Sequence, residues 1–320
     1  CGESTLMNGA YLGIDTSNYT TSAALYDPKS GSVISKKKLL PVAQSQCGLR
    51  QSDAVFLHVK QLPDIIAQLR AETDLPIRAV CASCAPRPVE GSYMPAFLVG
   101  MCVGESVSSL LNVPYYTCSH QEGHIMAALY SAQALSLHAQ PFYAFHVSGG
   151  TTECLSVTPH ETGFCVEKIA GTLDLNAGQL VDRVGVMLEM GFPCGMELDR
   201  LAQSYEGKLP SIRVPMKGAD CHFSGAQNQC EQLFKAGHPK EMVARYAISY
   251  IEKAIDSMTA EVLKQYGDRP IVYAGGVMSN TIIRAALTKK YGGYFAEPAF
   301  SSDNAAGVAL IGALKDSIHE

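Results

Sequence analysis

His120 and His124 stand four residues apart in Ser119-His-Gln-Glu-Gly-His124. That spacing puts two imidazoles on one helical face, where they can share a metal ion. Ser119 with Glu122 three residues later is a capping box, so a helix should open there. Glu122 then falls about 200° of rotation from His120, at about 100° per residue, and points away from the pair. The arrangement is neither HExxH nor HxxEH, and a metalloprotease would lack its general base. The same spacing equally serves two polar surface histidines.

Ser148-Gly-Gly-Thr-Thr152 offers a second chemistry. It joins two β-rich runs within Phe142 to Val157, which is a hairpin signal, with the glycines expected to supply positive φ. Backbone N–H groups beside small hydroxyls suit a phosphate or a carboxylate. The pattern occurs twice. In Tyr11 to Leu25, Ser17, Thr20 and Thr21 fall at a constant offset on Ser148, Thr151 and Thr152. Two strand-turn-strand units of one design imply two similar lobes about a ligand. A third feature is the apolar run Pro270 to Ala274 ending in Gly275-Gly276, with Asn280 opening a helix, a form that admits a nucleotide against bare backbone. Asn176 and Gln179 form another capping box, ahead of a helix on which Asp182 lies off the apolar stripe. Asp182 reads as a ligand for ribose hydroxyls or as a solvated carboxylate.

The elements that must hold these groups alternate. A strand or loop is expected over 32–41, a helical stripe within 53–71 and a strand over 76–83. Then come a small-residue helix from Ala96 to Leu111, a strand at 113–117 and the histidine helix. Beyond the second hairpin, Pro239 to Tyr266 reads as a long amphipathic helix, and Ser301 to Asn304 as the start of a last helix rich in Ala and Gly, with Asp303 at its cap. This is an α/β pattern.

Composition sets the bounds. The chain has 320 residues, 47% hydrophobic and 17% charged, enough for one large or two medium cores. No apolar run approaches the roughly 20 residues of a membrane span. A formal charge of −5 argues against nucleic-acid binding by bulk electrostatics, and Lys36-Lys37-Lys38, the one basic run, reads as a solvated edge. Eleven cysteines without regular spacing point to reduced thiols and a cytoplasmic protein. Cys81-Ala-Ser-Cys84 lacks the second CxxC that a zinc site would need. Cys1 to Gly9 is polar and unpatterned, and either Met7 is a start or a segment precedes Cys1.

HQEGH, VSGGTT, NAGQLVDRVGVMLEMGFPCG, FSG, YAGGVMSN and SSDNAAG occur in the order found in the TsaD family, the tRNA N6-adenosine threonylcarbamoyltransferases formerly called O-sialoglycoprotein endopeptidases. The chain resembles that family from Tyr11 onward. The resemblance implies a two-lobed actin-like ATPase (sugar kinase/actin) fold with duplicated RNase H-like lobes. Residues 10–134 plus 303–320 would form the metal-binding lobe and 135–302 the nucleotide-binding lobe. It implies transfer of threonylcarbamoyl from threonylcarbamoyl-AMP to N6 of adenosine 37 in tRNAs reading ANN codons. By motif, His120, His124 and Asp303 would hold one divalent metal, iron or zinc. His146, Val147, Ser148, Gly149, Gly150, Asp182, Gly195 and Asn280 would hold threonylcarbamoyl-AMP or ATP. TsaB-like and TsaE-like partners would accompany tRNA binding.

The departures lie in the pocket motifs. Asn18-Tyr19-Thr20 stands where the family has an acidic pair, Thr151 where it has His, and Ala85-Pro86-Arg87-Pro88 where it has Gly-Pro-Gly. Gln227 replaces a Lys and Gln179 a Glu. These suggest a divergent paralogue. A non-transferring regulatory subunit that keeps metal and nucleotide, or an ATPase or phosphotransferase of the same fold, are the alternatives.

Overall fold

A computed structural model describes residues 9–17, 19–41, 49–161, 163–297, 300 and 305–319. The chain divides into two compact units. The first comprises Cys1–Tyr130, Pro159–Cys165 and Asp303–Glu320, and the second Ser131–Thr158 and Val166–Ser302. Residues 159–165, expected from sequence within the second segment, group instead with the first unit, although they include the ends of two strands whose other residues lie in the second; there the main-chain N–H of Phe164 donates to the buried Glu122 carboxylate at 3.2 Å.

The first unit is built on five strands: β1 (Ala10–Ser17), β2 (Thr20–Asp27), β3 (Ser32–Leu39), β4 (Ile77–Ala85) and β5 (Tyr115–Ser119), in the order β3-β2-β1-β4-β5. The three leading strands meander antiparallel, while β4 and β5 run parallel to β1 after helical crossovers. α1 (Gln51–Arg70) buries Ala54, His58, Gln61, Leu62, Ile65 and Leu69, one face at helical spacing with two polar residues in it. α2 (Phe97–Leu111) packs on β4 and β1, and α3 (His120–Ser131) follows β5. Edge strand β3 carries Lys36 to Lys38, with Lys36 paired to Glu72; charges of this kind keep a sheet edge from recruiting another strand.

The second unit repeats this plan. β6 (Phe142–Val147), β7 (Thr152–His160) and β8 (Gly163–Gly171) precede α4 (Ala177–Met187), α5 (Gly195–Gln203), a ribbon of β9 (Met216–Lys217) and β10 (Asp220–Cys221), α6 (Ser224–Lys235) and α7 (Lys240–Tyr266). β11 (Ile271–Ala274), α8 (Thr281–Tyr291) and β12 (Tyr294–Phe295) complete it, with sheet order β12-β11-β6-β7-β8. The offset noticed in sequence is also the register: Thr16 pairs with Thr21 as Val147 pairs with Thr152, and Tyr11 with Tyr26 as Phe142 with Val157. α7 supplies much of this unit's core through Val243, Tyr246, Ile251, Ile255 and Met258.

The last helix, α9 (Ala306–His319), belongs to the first unit and is anchored by a charge. Asp316, 7% exposed, accepts from Tyr11 Oη at 2.9 Å, Tyr116 Oη at 3.0 Å and Arg78 Nε at 2.9 Å. Burial, then the hydrogen bond to Asp316, pushes the Tyr116 phenol up to about 12, so both tyrosines remain donors at ordinary pH. Asp316→Ala should lower stability by about 3 kcal/mol in urea unfolding, since it strands a largely buried guanidinium. A loss under about 1 kcal/mol would show that α9 is held by its apolar face alone.

Candidate active site

The histidine pair forms as its spacing predicts. Ser119 and Glu122 cap α3 reciprocally: Glu122 Oε2 accepts from Ser119 N at 2.7 Å, and Ser119 Oγ accepts from Glu122 N at 3.2 Å. His120 Nε2 and His124 Nε2 then lie 3.0 Å apart. Asp15, in the middle of β1, holds the pair from behind: its Oδ2 is 2.9 Å from His120 Nδ1, and its Oδ1 accepts from Ser83 Oγ at 2.5 Å. A carboxylate on Nδ1 selects the tautomer whose Nε2 lone pair is available, the usual support for a metal-binding imidazole. Two converging ring nitrogens with such a backing fit a divalent cation. Among the described residues no trio of His, Cys, Asp or Glu gathers for a metal, and Asp303 lies outside them.

Asp15 was not singled out from sequence. Its signal was a carboxylate inside the otherwise apolar run Tyr11-Leu-Gly-Ile. His58 was also missed. It is fully buried on α1, with Nδ1 2.8 Å from Thr21 Oγ1, and burial lowers its pKa against the pull of Asp15.

In the second unit, Ser148, Gly149, Asp182, Gly195 and Asn280 line one cavity of about 490 Å³, together with Gly178, Asp199, Gly276 and Ser279. The structure does not bring His146, Val147 or Gly150 to that wall: Val147 is buried in β6, and His146 sits beside it on the strand. The hairpin turn differs from expectation as well. Neither Gly149 nor Gly150 has positive φ, because the turn spans four residues and closes through Ser148 N to Thr151 O at 2.7 Å. A Cβ on Gly149 would meet nothing within 4 Å, so the glycines leave room instead of relieving strain. Gly178, by contrast, is required. A Cβ there would sit 2.5 Å from Gly149 N, and its absence lets α4 donate Gly178 N to Ser148 O at 3.1 Å.

Two carboxylates are fixed in the cavity. Asp182 Oδ1 accepts from Cys194 N at 3.0 Å, leaving its other oxygen to receive a ligand hydroxyl. Asp199, the third residue missed from sequence, accepts from Thr281 Oγ1 at 3.1 Å. Asn280 Oδ1 caps α8 through Ile282 N and Ile283 N, so Asn280 offers its amide N–H groups to a ligand. Cys81 Sγ lies 4.0 Å from Cys118 Sγ, Cys84 Sγ donates to the Cys118 carbonyl at 3.3 Å, and burial, after the Cys81 contact, keeps Cys118 a thiol.

Duplicated α/β units carrying a nucleotide-sized cavity define a class. HypF of T. kodakarensis superposes with a TM-score of 0.59 at 13% identity, covering 98% of this chain, which spans about half of that protein (47%). Component A of the (R)-2-hydroxyglutaryl-CoA dehydratase of Acidaminococcus fermentans gives 0.54 at 14% identity over 98% of this chain and all of that one. The Clostridium difficile activator of 2-hydroxyisocaproyl-CoA dehydratase, solved with bound ADPNP, gives 0.50 at 12% over 98% and 96%. The fold is that of the actin-like ATPases and sugar kinases. Residues 39–310 match the family described as TsaD: tRNA N6-adenosine threonylcarbamoyltransferase, and the chain belongs to that family.

Proposed function

We propose that this protein transfers the threonylcarbamoyl group of threonylcarbamoyl-AMP to N6 of adenosine 37 in tRNAs reading ANN codons. The observation that carries the reading is the second-unit cavity, where five of the eight residues expected at an adenylate converge in a chain of the TsaD family. Asp182 would receive ribose hydroxyls, the open turn at Gly149 the phosphate, and Asn280 would donate from its amide. In the reaction N6 bonds to the carbamoyl carbon, the C–O bond to AMP breaks, and N6 gives up a proton. His120 and His124, with Asp303, would hold one iron or zinc ion, which supplies Lewis-acid polarisation when bound.

Tyr19, 40% exposed at the first turn in place of the family's acidic residue, favours a second reading as a non-transferring regulatory subunit. An assay of tRNA with synthetic threonylcarbamoyl-AMP decides between them. Transfer by the full chain, weakened at least about tenfold by Asp182→Ala, is expected. Adenylate binding without transfer, with any added partner, would establish the second reading; ATP hydrolysis without either would point to an ATPase.

Partners follow from charge and surface. TsaB-like and TsaE-like proteins would join the chain and bring it to tRNA, supported by the apolar face that α2 leaves open at Leu98, Leu110 (85% exposed) and Leu111. The purified chain, at −5, should bind tRNA weakly with a small salt slope. Tight binding that collapses with salt would contradict this. No described helix is long and apolar enough to cross a membrane, and the described cysteines are free thiols, as a reducing cytoplasm leaves them.

A further inference from the structure

The loop Ala85-Pro86-Arg87-Pro88, which stands where the family has Gly-Pro-Gly, brings a cation that a glycine loop would lack. Pro86 has a fixed φ, and Pro88 narrows the backbone choices of Arg87. The Pro86 carbonyl accepts from Gln121 N, in the first turn of α3, at 3.1 Å, and Arg87 N donates to Ser92 Oγ at 3.0 Å. The loop is thus tied to α3 on one side and to its own return on the other. The Arg87 side chain has no hydrogen-bond or ion-pair partner among the described residues.

Arg87 lines a cavity of about 460 Å³ whose walls all belong to the first unit. Lys315 of α9 lines it too. Its Nζ donates to the Thr117 carbonyl at 2.5 Å, a neutral acceptor, which leaves two of its three N–H groups for a ligand, and no carboxylate among the described residues pairs with it. The one carboxylate in the wall, Glu122, is committed elsewhere. It accepts from Ser119 N and Ser119 Oγ at 2.7 Å each and from Phe164 N at 3.2 Å, and the space beside its Oε1 is closed by Gly163, where a Cβ would overlap that oxygen. Two fixed cations against one fully bonded carboxylate leave the cavity an excess of one positive charge, before any contribution from His160, which also lines it. Pro88, Val89 and Phe164 make much of the remaining wall apolar, and burial pushes the Cys84 thiol up, so it adds no negative charge.

The volume is that of a small-molecule site. A single negative charge balances the excess, a planar carboxylate matches the guanidinium fork, and an apolar body suits the rest of the wall. We propose that this cavity binds a small organic monocarboxylate with an apolar body, held by the Arg87 guanidinium and the Lys315 ammonium group. It shares no lining residue with the adenylate cavity, so it stands independently of that reading.

Fluorine-19 spectra of 4-fluorobenzoate titrated with the full chain test the site. The wild type should bind this acid at least about tenfold more tightly than its neutral isostere, 4-fluorobenzamide. Arg87→Gln, a change on an exposed loop, should weaken the acid about tenfold and leave the amide unchanged, and Arg87→Lys should recover part of the loss. Unlabelled benzoate should displace the probe, and inorganic phosphate at the same concentration should not. No binding of the acid by the wild type, equal affinity for acid and amide, or an Arg87→Gln variant that binds the acid as the wild type does would each overturn the proposal. Displacement by phosphate as effective as by benzoate would reveal a general anion site and overturn it as well.

Discussion

His120→Ala should leave the purified chain without stoichiometric metal and without transferase activity, and Asp303→Ala should do the same. Two imidazole nitrogens seldom hold a divalent ion tightly by themselves, so a carboxylate ligand and both rings are each needed. The His120 side chain is partly exposed at 21%, outside either core, so its removal should leave the urea midpoint nearly unmoved. Asp15→Asn keeps the shape but removes the charge behind His120 Nδ1; metal affinity should fall about 10- to 100-fold. Metal analysis of wild type and the three variants reads all of this. Full occupancy in His120→Ala would remove the site.

Gly275→Ala is expected to have the largest effect on stability. Gly275 follows β11 with φ +100°, and a Cβ there would overlap the Val147 carbonyl oxygen and lie 2.6 Å from its carbon. Both the backbone conformation and the space exclude a side chain, and the loss should reach about 3 kcal/mol or prevent folding. Gly276 next to it has neither constraint, since a Cβ would meet nothing within 4 Å, but it lines the cavity. Gly276→Ala should therefore unfold within about 1 kcal/mol of wild type and lose AMP affinity. Urea unfolding and AMP titration of the pair separate a packing role from a binding one. Equal stability for both variants would refute the close approach of Gly275 to Val147.

Local signals were readable in the sequence. Both capping boxes, the histidine spacing and the duplicated hairpin depend on residues within a few positions of one another, and all are present. α1 was legible only in its second half, because His58 and Gln61 interrupt its apolar stripe, although the whole of Gln51–Arg70 is helical. What was hidden are long-range pairings. Asp15 meets His120 across 105 positions, and His58 meets Thr21 across 37; a buried polar residue looks the same in sequence whatever it faces. The glycines of the second turn misled for a different reason: Gly is used both for positive φ and for vacant space, and only the backbone tells which.

The shared register of the two hairpins gives the molecule an internal reference. Thr21 and Thr152 occupy matching places in matching ladders, one answering to an imidazole and the other to the first amide of a helix. A substitution at either position can be compared with its counterpart in the same polypeptide, under the same solvent and temperature. Differences between the two then report what each neighbourhood added after the halves diverged, with the strand geometry held constant.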